Sequence, residues 1–155
     1  MTPSSTSTRK LIVVTGATKG IGRATARALV QEHGCEVLAI GRTAGELASL
    51  KEELSTFGDQ LRTLAVDLAE PGSELVVQKT LVGRRIHGLV NNAGLLITRP
   101  FGHWSQDDMT RLFSTNVFAP IRLVQALVNA MDGEPAGHVV NIGSMGGFQG
   151  SSKFP

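Results

Sequence analysis

A glycine-rich turn, Thr15-Gly16-Ala17-Thr18-Lys19-Gly20-Ile21-Gly22, is the first stretch of this 155-residue chain whose residue types suit chemistry. With no side chains at Gly16, Gly20 and Gly22, the backbone can approach a pyrophosphate closely, and the free amides opening a following helix bind the anion. The spacing G-x-x-x-G-x-G departs from the G-x-G-x-x-G fingerprint, and no G-K-[ST] follows, so a P-loop is excluded. A turn kept tight for packing alone has the same composition. Placement between a buried strand and a helix is what gives the ligand reading its weight.

Gly41-Arg42 stand where a second strand ends. An acidic residue there would accept from a ribose 2′-hydroxyl, whereas Arg42 offers a planar pair of donors suited to a 2′-phosphate. Lys19 adds a second positive charge from the glycine turn. Two cations and no carboxylate favour NADP(H) over NAD(H); either cation read singly is also an ordinary solvated charge. Asp67, followed by Leu68, ends a third strand and suits either an adenine amino group or the N-cap of the next helix. Ser144 follows the apolar-rich run Val139, Val140, Asn141 and Ile142, which delivers a hydroxyl into a glycine loop. Asn116 lies four residues before Pro120 inside a predicted helix. Proline has no N–H, so the Asn116 carbonyl loses its helical donor and is free to bind water, unless the bend serves packing only.

The elements that must position these residues read from hydrophobic periodicity. Leu11 to Val14 is a short continuous apolar run, as in a strand buried on both faces of a parallel sheet. Ile21, Ala24, Thr25, Ala28 and Leu29 fall on one helical face. Strands are predicted at 36–41, 61–67, 87–94 and 137–144. Leu47, Leu50, Leu54 and Phe57 mark a second helix, and 70–84 a weaker one opened by Pro71 and Gly72. A long helix over 106–131, capped by Ser105, carries an apolar stripe wide enough to cover the sheet and to meet a partner. Strands alternate with helices throughout, giving an α/β doubly wound parallel sheet.

Composition narrows the class. The chain is 41% hydrophobic and 18% charged, an ordinary globular balance. A net charge of +2 needs no nucleic-acid partner to explain it. Cys35 is the only cysteine, which rules out an intramolecular disulfide and suits a packed core thiol. His33, His87, His103 and His138 show no metal-ligand spacing, and no metal is expected. No apolar run reaches the roughly 18 residues of a membrane span. Residues 1–9 read as a disordered tail without a signal-peptide core, so the expected compartment is the cytoplasm.

With these residues in place, the chain resembles the short-chain dehydrogenase/reductase family. The resemblance rests on T-G-x-x-x-G-x-G (Thr15 to Gly22) and N-N-A-G (Asn91, Asn92, Ala93, Gly94), each at a strand mouth, followed by Asn116 and Ser144 at family-like separations. It implies a Rossmann fold over 10–155, a nicotinamide cofactor, and hydride transfer between a carbonyl and an alcohol. It implies that the N-N-A-G turn buttresses the sheet and lines the cofactor cleft. It further implies that Ser144 orients the substrate oxygen and that the Asn116 carbonyl holds a water in a proton relay. The family's proton donor is a tyrosine about thirteen residues after that serine, with a lysine four further on. This chain has no tyrosine, and Lys153 lacks the right spacing from one. The resemblance therefore implies an incomplete domain of about five strands, lacking its last strands, its dyad and most of its substrate pocket and dimer interface; the complete enzyme is expected to be a homo-oligomer. The polypeptide is expected to be inactive alone, with a non-catalytic NADP(H)-binding module or a functionless remnant as alternatives. Trp104 and Phe101 are candidates for one substrate wall.

Overall fold

The structure, a computed structural model, describes residues 9–146. Strands β1 (Leu11–Thr15), β2 (Glu36–Gly41), β3 (Leu61–Ala65), β4 (Gly88–Asn91) and β5 (His138–Asn141) form one parallel sheet in the order β3-β2-β1-β4-β5. Strand alternation supplies two cores. Leu11, Val13, Leu38 and Ile40 face helices α3 (Ser73–Thr80) and α5 (Ala119–Leu127). Val14, Val37 and Ala39 face α1 (Gly20–Gln31) and α2 (Ala44–Glu53). The central strands are thus apolar on both sides, as the run Leu11 to Val14 requires. The lone thiol of Cys35 is buried, and burial raises its pKa above the ordinary thiol value.

Several predicted strands are shorter in the structure. The third stops at Ala65 rather than residue 67, the fourth at Asn91 and the fifth at Asn141. At each end the chain leaves the ladder, and these departing segments line the two clefts described below. The helix expected over 70–84 is confined to α3, because Gly72 adopts the left-handed φ of +87° immediately before it.

The buried face of α1 is also one residue away from the expected one. Gly22, Ala26 and Val30 are buried, whereas Ile21 is 63% exposed. The cause is Gly22, where a Cβ would collide with the Gly16 carbonyl oxygen and the Asn92 side-chain amide. Close approach of helix and turn fixes the rotation of α1 more strongly than the larger apolar residues do.

The long helix occupies its predicted span in four pieces: α4 (Gln106–Phe113), a π-helical turn (Ser114–Phe118), α5 and a 3₁₀ turn (Val128–Met131). Ser105 caps α4 through a capping box: its hydroxyl accepts from the Asp108 amide, and Asp108 Oδ2 accepts from the Ser105 amide at 3.1 Å. The wide stripe divides into a buried and an exposed side. Ala119, Leu123, Leu127 and Met131 are buried, while Phe113 and Ile121 remain about half exposed, at 51% and 52%. All four residues of β5, an edge strand, are exposed. Among the described residues no helix is long and apolar enough to cross a membrane.

Candidate functional site

The chain runs β1 to β3 in one direction across the sheet, then returns to add β4 and β5 on the other side. The loops leaving β1 and β4 therefore diverge at the carboxyl edge, the switch point where open α/β sheets bind ligands. A cleft of about 220 Å³ lies there. It gathers Gly16 and Lys19 after β1, Arg42 after β2, Asp67 and Leu68 after β3, and Asn92, Ala93 and Gly94 after β4. These eight are sequence-predicted site residues that the fold brings together. Thr18, Gly41, Val66 and Thr115 complete the lining. Sequence reasoning assigned none of these four to the site, although Thr18 lies within the glycine turn, Gly41 precedes Arg42 and Thr115 precedes Asn116.

The remaining residues of the glycine motif stand outside this lining. Thr15 is buried behind it, and its hydroxyl is fully committed. It donates to the Val90 carbonyl at 3.3 Å and accepts from the Asn92 and Ala93 amides, both at 3.0 Å. Asn92 returns the tie, its side-chain amide donating to the Thr15 and Gly16 carbonyls at 3.1 Å each. The β1 and β4 exits are thus locked together. A Cβ at Gly16, which has φ +64°, would lie 2.8 Å from Ala93 Cα, so only glycine fits this crossing. Gly20 has an open, positive-φ position at the start of α1, Ile21 points outward, and Gly22 is the packing contact already described. From behind, Arg23 pins the turn, donating to the Thr18 carbonyl at 3.4 Å and to Glu53 at 2.7 Å.

Asp67 does not cap α3. Its Oδ1 accepts from the Ala69 amide at 3.0 Å, and its Oδ2 lies 3.9 Å from Arg42 Nη1. Arg122 of α5 holds the same loop, donating to the Leu68 carbonyl at 2.8 Å and to Glu74 at 3.1 Å.

A second, larger cleft of about 910 Å³ shares Asn92, Ala93 and Gly94 with the first. Ser144 and Asn116 line it, with Trp104, Leu96, Ile97 and Ile121 among its apolar wall. The Phe101 side chain and Lys153 lie outside the described residues. Ser144 is exposed, and its hydroxyl accepts from the Gly146 amide at 3.1 Å. Among the described residues no histidine lines either cleft. In the lining of the second cleft, Asn91 donates to Asn141 Oδ1 at 2.9 Å, and Asn91 Oδ1 is a buried acceptor without a partner among the described residues.

Asn116 sits in the π turn. The Ala119 amide bonds the Ser114 carbonyl five residues back, and Pro120 contributes no donor to the Asn116 carbonyl. The helix responds to the proline by widening. The side chain has a separate task that the sequence did not announce: it accepts from the Leu95 amide and donates to the Leu95 carbonyl, each at 2.8 Å. This two-point clamp fixes the loop after Gly94. The loop's far end is fixed by Arg99, which donates to Asp108 Oδ2 at 2.8 Å. The Ser105 amide and hydroxyl, with Arg99, hold the Asp108 carboxyl below the ordinary carboxylate range.

This arrangement agrees with a known family. A family described as short chain dehydrogenase matches residues 10–155. The chain belongs to the short-chain dehydrogenase family. Within it, the chain is 35% identical over 139 residues to L-xylulose reductase of Caenorhabditis elegans, covering 88% of this chain and 54% of that protein. It is 35% identical over 140 residues to an NADP-dependent 3-hydroxy acid dehydrogenase of Salmonella typhi, covering 88% and 55%. Among solved structures, L-sorbose reductase from Gluconobacter frateurii, complexed with NADPH and L-sorbose, superposes with a TM-score of 0.87 at 25% identity, covering 95% of this chain and 57% of that one. The chain spans about half the length of the relatives it matches.

Proposed function

We propose that this chain binds NADP(H) in the smaller cleft and is the cofactor-binding portion of an oxidoreductase that moves hydride between a carbonyl and an alcohol. The observation that carries the reading is the shared wall: two clefts meet at Asn92, Ala93 and Gly94, one lined by Lys19 and Arg42, the other by Ser144. The residues present fit the cofactor. The Gly16 crossing keeps the turn free of side chains, the amides opening α1 suit a pyrophosphate, and Arg42 and Lys19 suit a 2′-phosphate. NADPH, when bound, supplies the hydride. The NADPH complex of L-sorbose reductase and the NADP dependence of the 3-hydroxy acid dehydrogenase support the choice of cofactor.

In this reading Asp67 and Leu68 flank the adenine, Ser144 orients the substrate oxygen, and the Asn116 carbonyl holds a relay water. The chain contains no tyrosine, so it lacks the phenol the family uses as proton donor. A serine hydroxyl with no histidine among the described residues of either cleft does not replace it. The chain alone is therefore expected to bind the cofactor without turnover, and the same observation favours, as second reading, a non-catalytic NADP(H)-binding module. The cytoplasmic setting and the homo-oligomeric complete enzyme belong to the proposal.

Amide chemical-shift mapping with NADPH tests the placement. Perturbations should cover Gly16, Arg42, Ala93 and Ser144 together. Shifts confined to the opposite edge of the sheet, around His33 and His138, would contradict it. In a parallel NADPH-consumption assay the chain should show no turnover with carbonyl substrates, and robust Ser144-dependent turnover would overturn the assignment of roles.

A further inference from the structure

We infer that Asp67 narrows the cofactor preference of the cleft by acting as the counter-ion that a cofactor 2′-phosphate displaces from Arg42. The inference rests on the NADP(H) reading above. The Arg42 and Asp67 side chains are 62% and 41% exposed, and their charged atoms lie 3.9 Å apart. Asp67 is the only partner of Arg42 among the described residues.

The two ends of this pair are held differently. The Ala69 amide fixes Asp67 Oδ1 at 3.0 Å, and the Val66 amide ties the same loop to the Gly41 carbonyl at 2.9 Å. Arg122 fixes the loop from inside through the Leu68 carbonyl at 2.8 Å. The carboxylate is a fixed point beside the end of β2. The guanidinium has no such anchor.

An exposed pair at this separation is weak. A phosphate monoester carries nearly two charges and three acceptor oxygens, and it takes a guanidinium bidentately. It therefore outcompetes the carboxylate, but it must first draw Arg42 away, and it leaves Asp67 as an uncompensated anion beside a second one. NADH, with a free 2′-hydroxyl, leaves the pair intact. Asp67 thus handicaps NADPH selectively and narrows the preference that Arg42 creates. Contact of Asp67 with the adenine alone would act on both cofactors equally, because both carry the same base.

The test is a set of equilibrium titrations of the full chain with NADPH and with NADH, for wild type, Asp67→Asn, Arg42→Ala and the double variant. Asparagine keeps an oxygen that accepts from the Ala69 amide, so the loop should hold and the melting temperature should not move. Asp67→Asn should widen the NADPH-over-NADH preference roughly two- to fivefold, and it should widen it distinctly less when Arg42 is already alanine, where only the direct repulsion between Asp67 and the 2′-phosphate is left to remove. The inference is overturned by an equal change for both cofactors, by an unchanged ratio, or by the same widening without Arg42. Arg42→Ala alone probes the underlying reading. A ratio it leaves unchanged sinks the NADP(H) assignment and the inference together, whereas a collapsed ratio with an inert Asp67→Asn sinks the inference alone. Binding of neither cofactor overturns both.

Discussion

Gly22 sits where a methyl group has no room, between the Gly16 carbonyl and the Asn92 side-chain amide. Gly22→Ala should therefore push α1 off the turn and cost on the order of 1–3 kcal/mol or more of stability, the scale of overpacking a close contact; the drop in urea midpoint measures it. Gly20→Ala has open space but a positive φ of 56°, so its cost should be that of backbone strain alone, about 1 kcal/mol. The contrast separates two reasons for glycine that the spacing G-x-x-x-G-x-G leaves merged. At Arg42 the proposal of a 2′-phosphate rests on the residue type together with Lys19, since either cation alone is also an ordinary solvated charge. Arg42→Ala should cost about 1–3 kcal/mol of NADPH binding, the value of a charge-assisted hydrogen bond, and leave NADH binding unchanged. The pairing of Asp67 with Arg42 was not legible in sequence, because it depends on how the loops after β2 and β3 converge.

At the scale of elements, the strands and helices read correctly from apolar periodicity, and their ends did not. Strand ends depend on where the neighbouring ladder stops: β3 leaves at Ala65, which pairs with Gly41, the last residue of β2. The π turn was visible only as Pro120, since a missing donor permits either a kink or a widened helix, and packing chooses. The start of β1 carries a titratable acceptor that periodicity also hides. The Leu11 amide donates to His87 Nδ1 at 3.1 Å, and burial, with Arg85 and Lys10 nearby, depresses the His87 pKa. The folded chain therefore resists a proton that the unfolded chain accepts near pH 6.5. Stability from this contact is complete above that value, declines as the pH falls below it, and levels off once the lower folded pKa is passed. Chemical denaturation at pH 7.5 and 5.5 should show the loss. His87→Asn, whose oxygen can accept the same N–H without titrating, should reduce the difference. An equal pH response in both proteins would mean that other groups cause it.

For the whole molecule, the sheet is protected on both faces near β1 and β2 but ends in β5, an edge with exposed Val139 and Val140. Such an edge pairs readily with another chain. Val140→Lys should lower the light scattering of concentrated samples without shifting the melting temperature. The same sheet places a cation-lined cleft against a serine-lined one along a single wall, and that juxtaposition is the basis of the proposed function. Its most direct test is equilibrium binding of NADPH and NADH to the purified 155-residue chain, followed by nicotinamide fluorescence. The expected result is saturable binding of both, with NADPH at least about tenfold tighter, equivalent to the roughly 1.4 kcal/mol that one charge-assisted contact to the 2′-phosphate supplies. Equal affinity for the two, or no saturable binding of either, would contradict it.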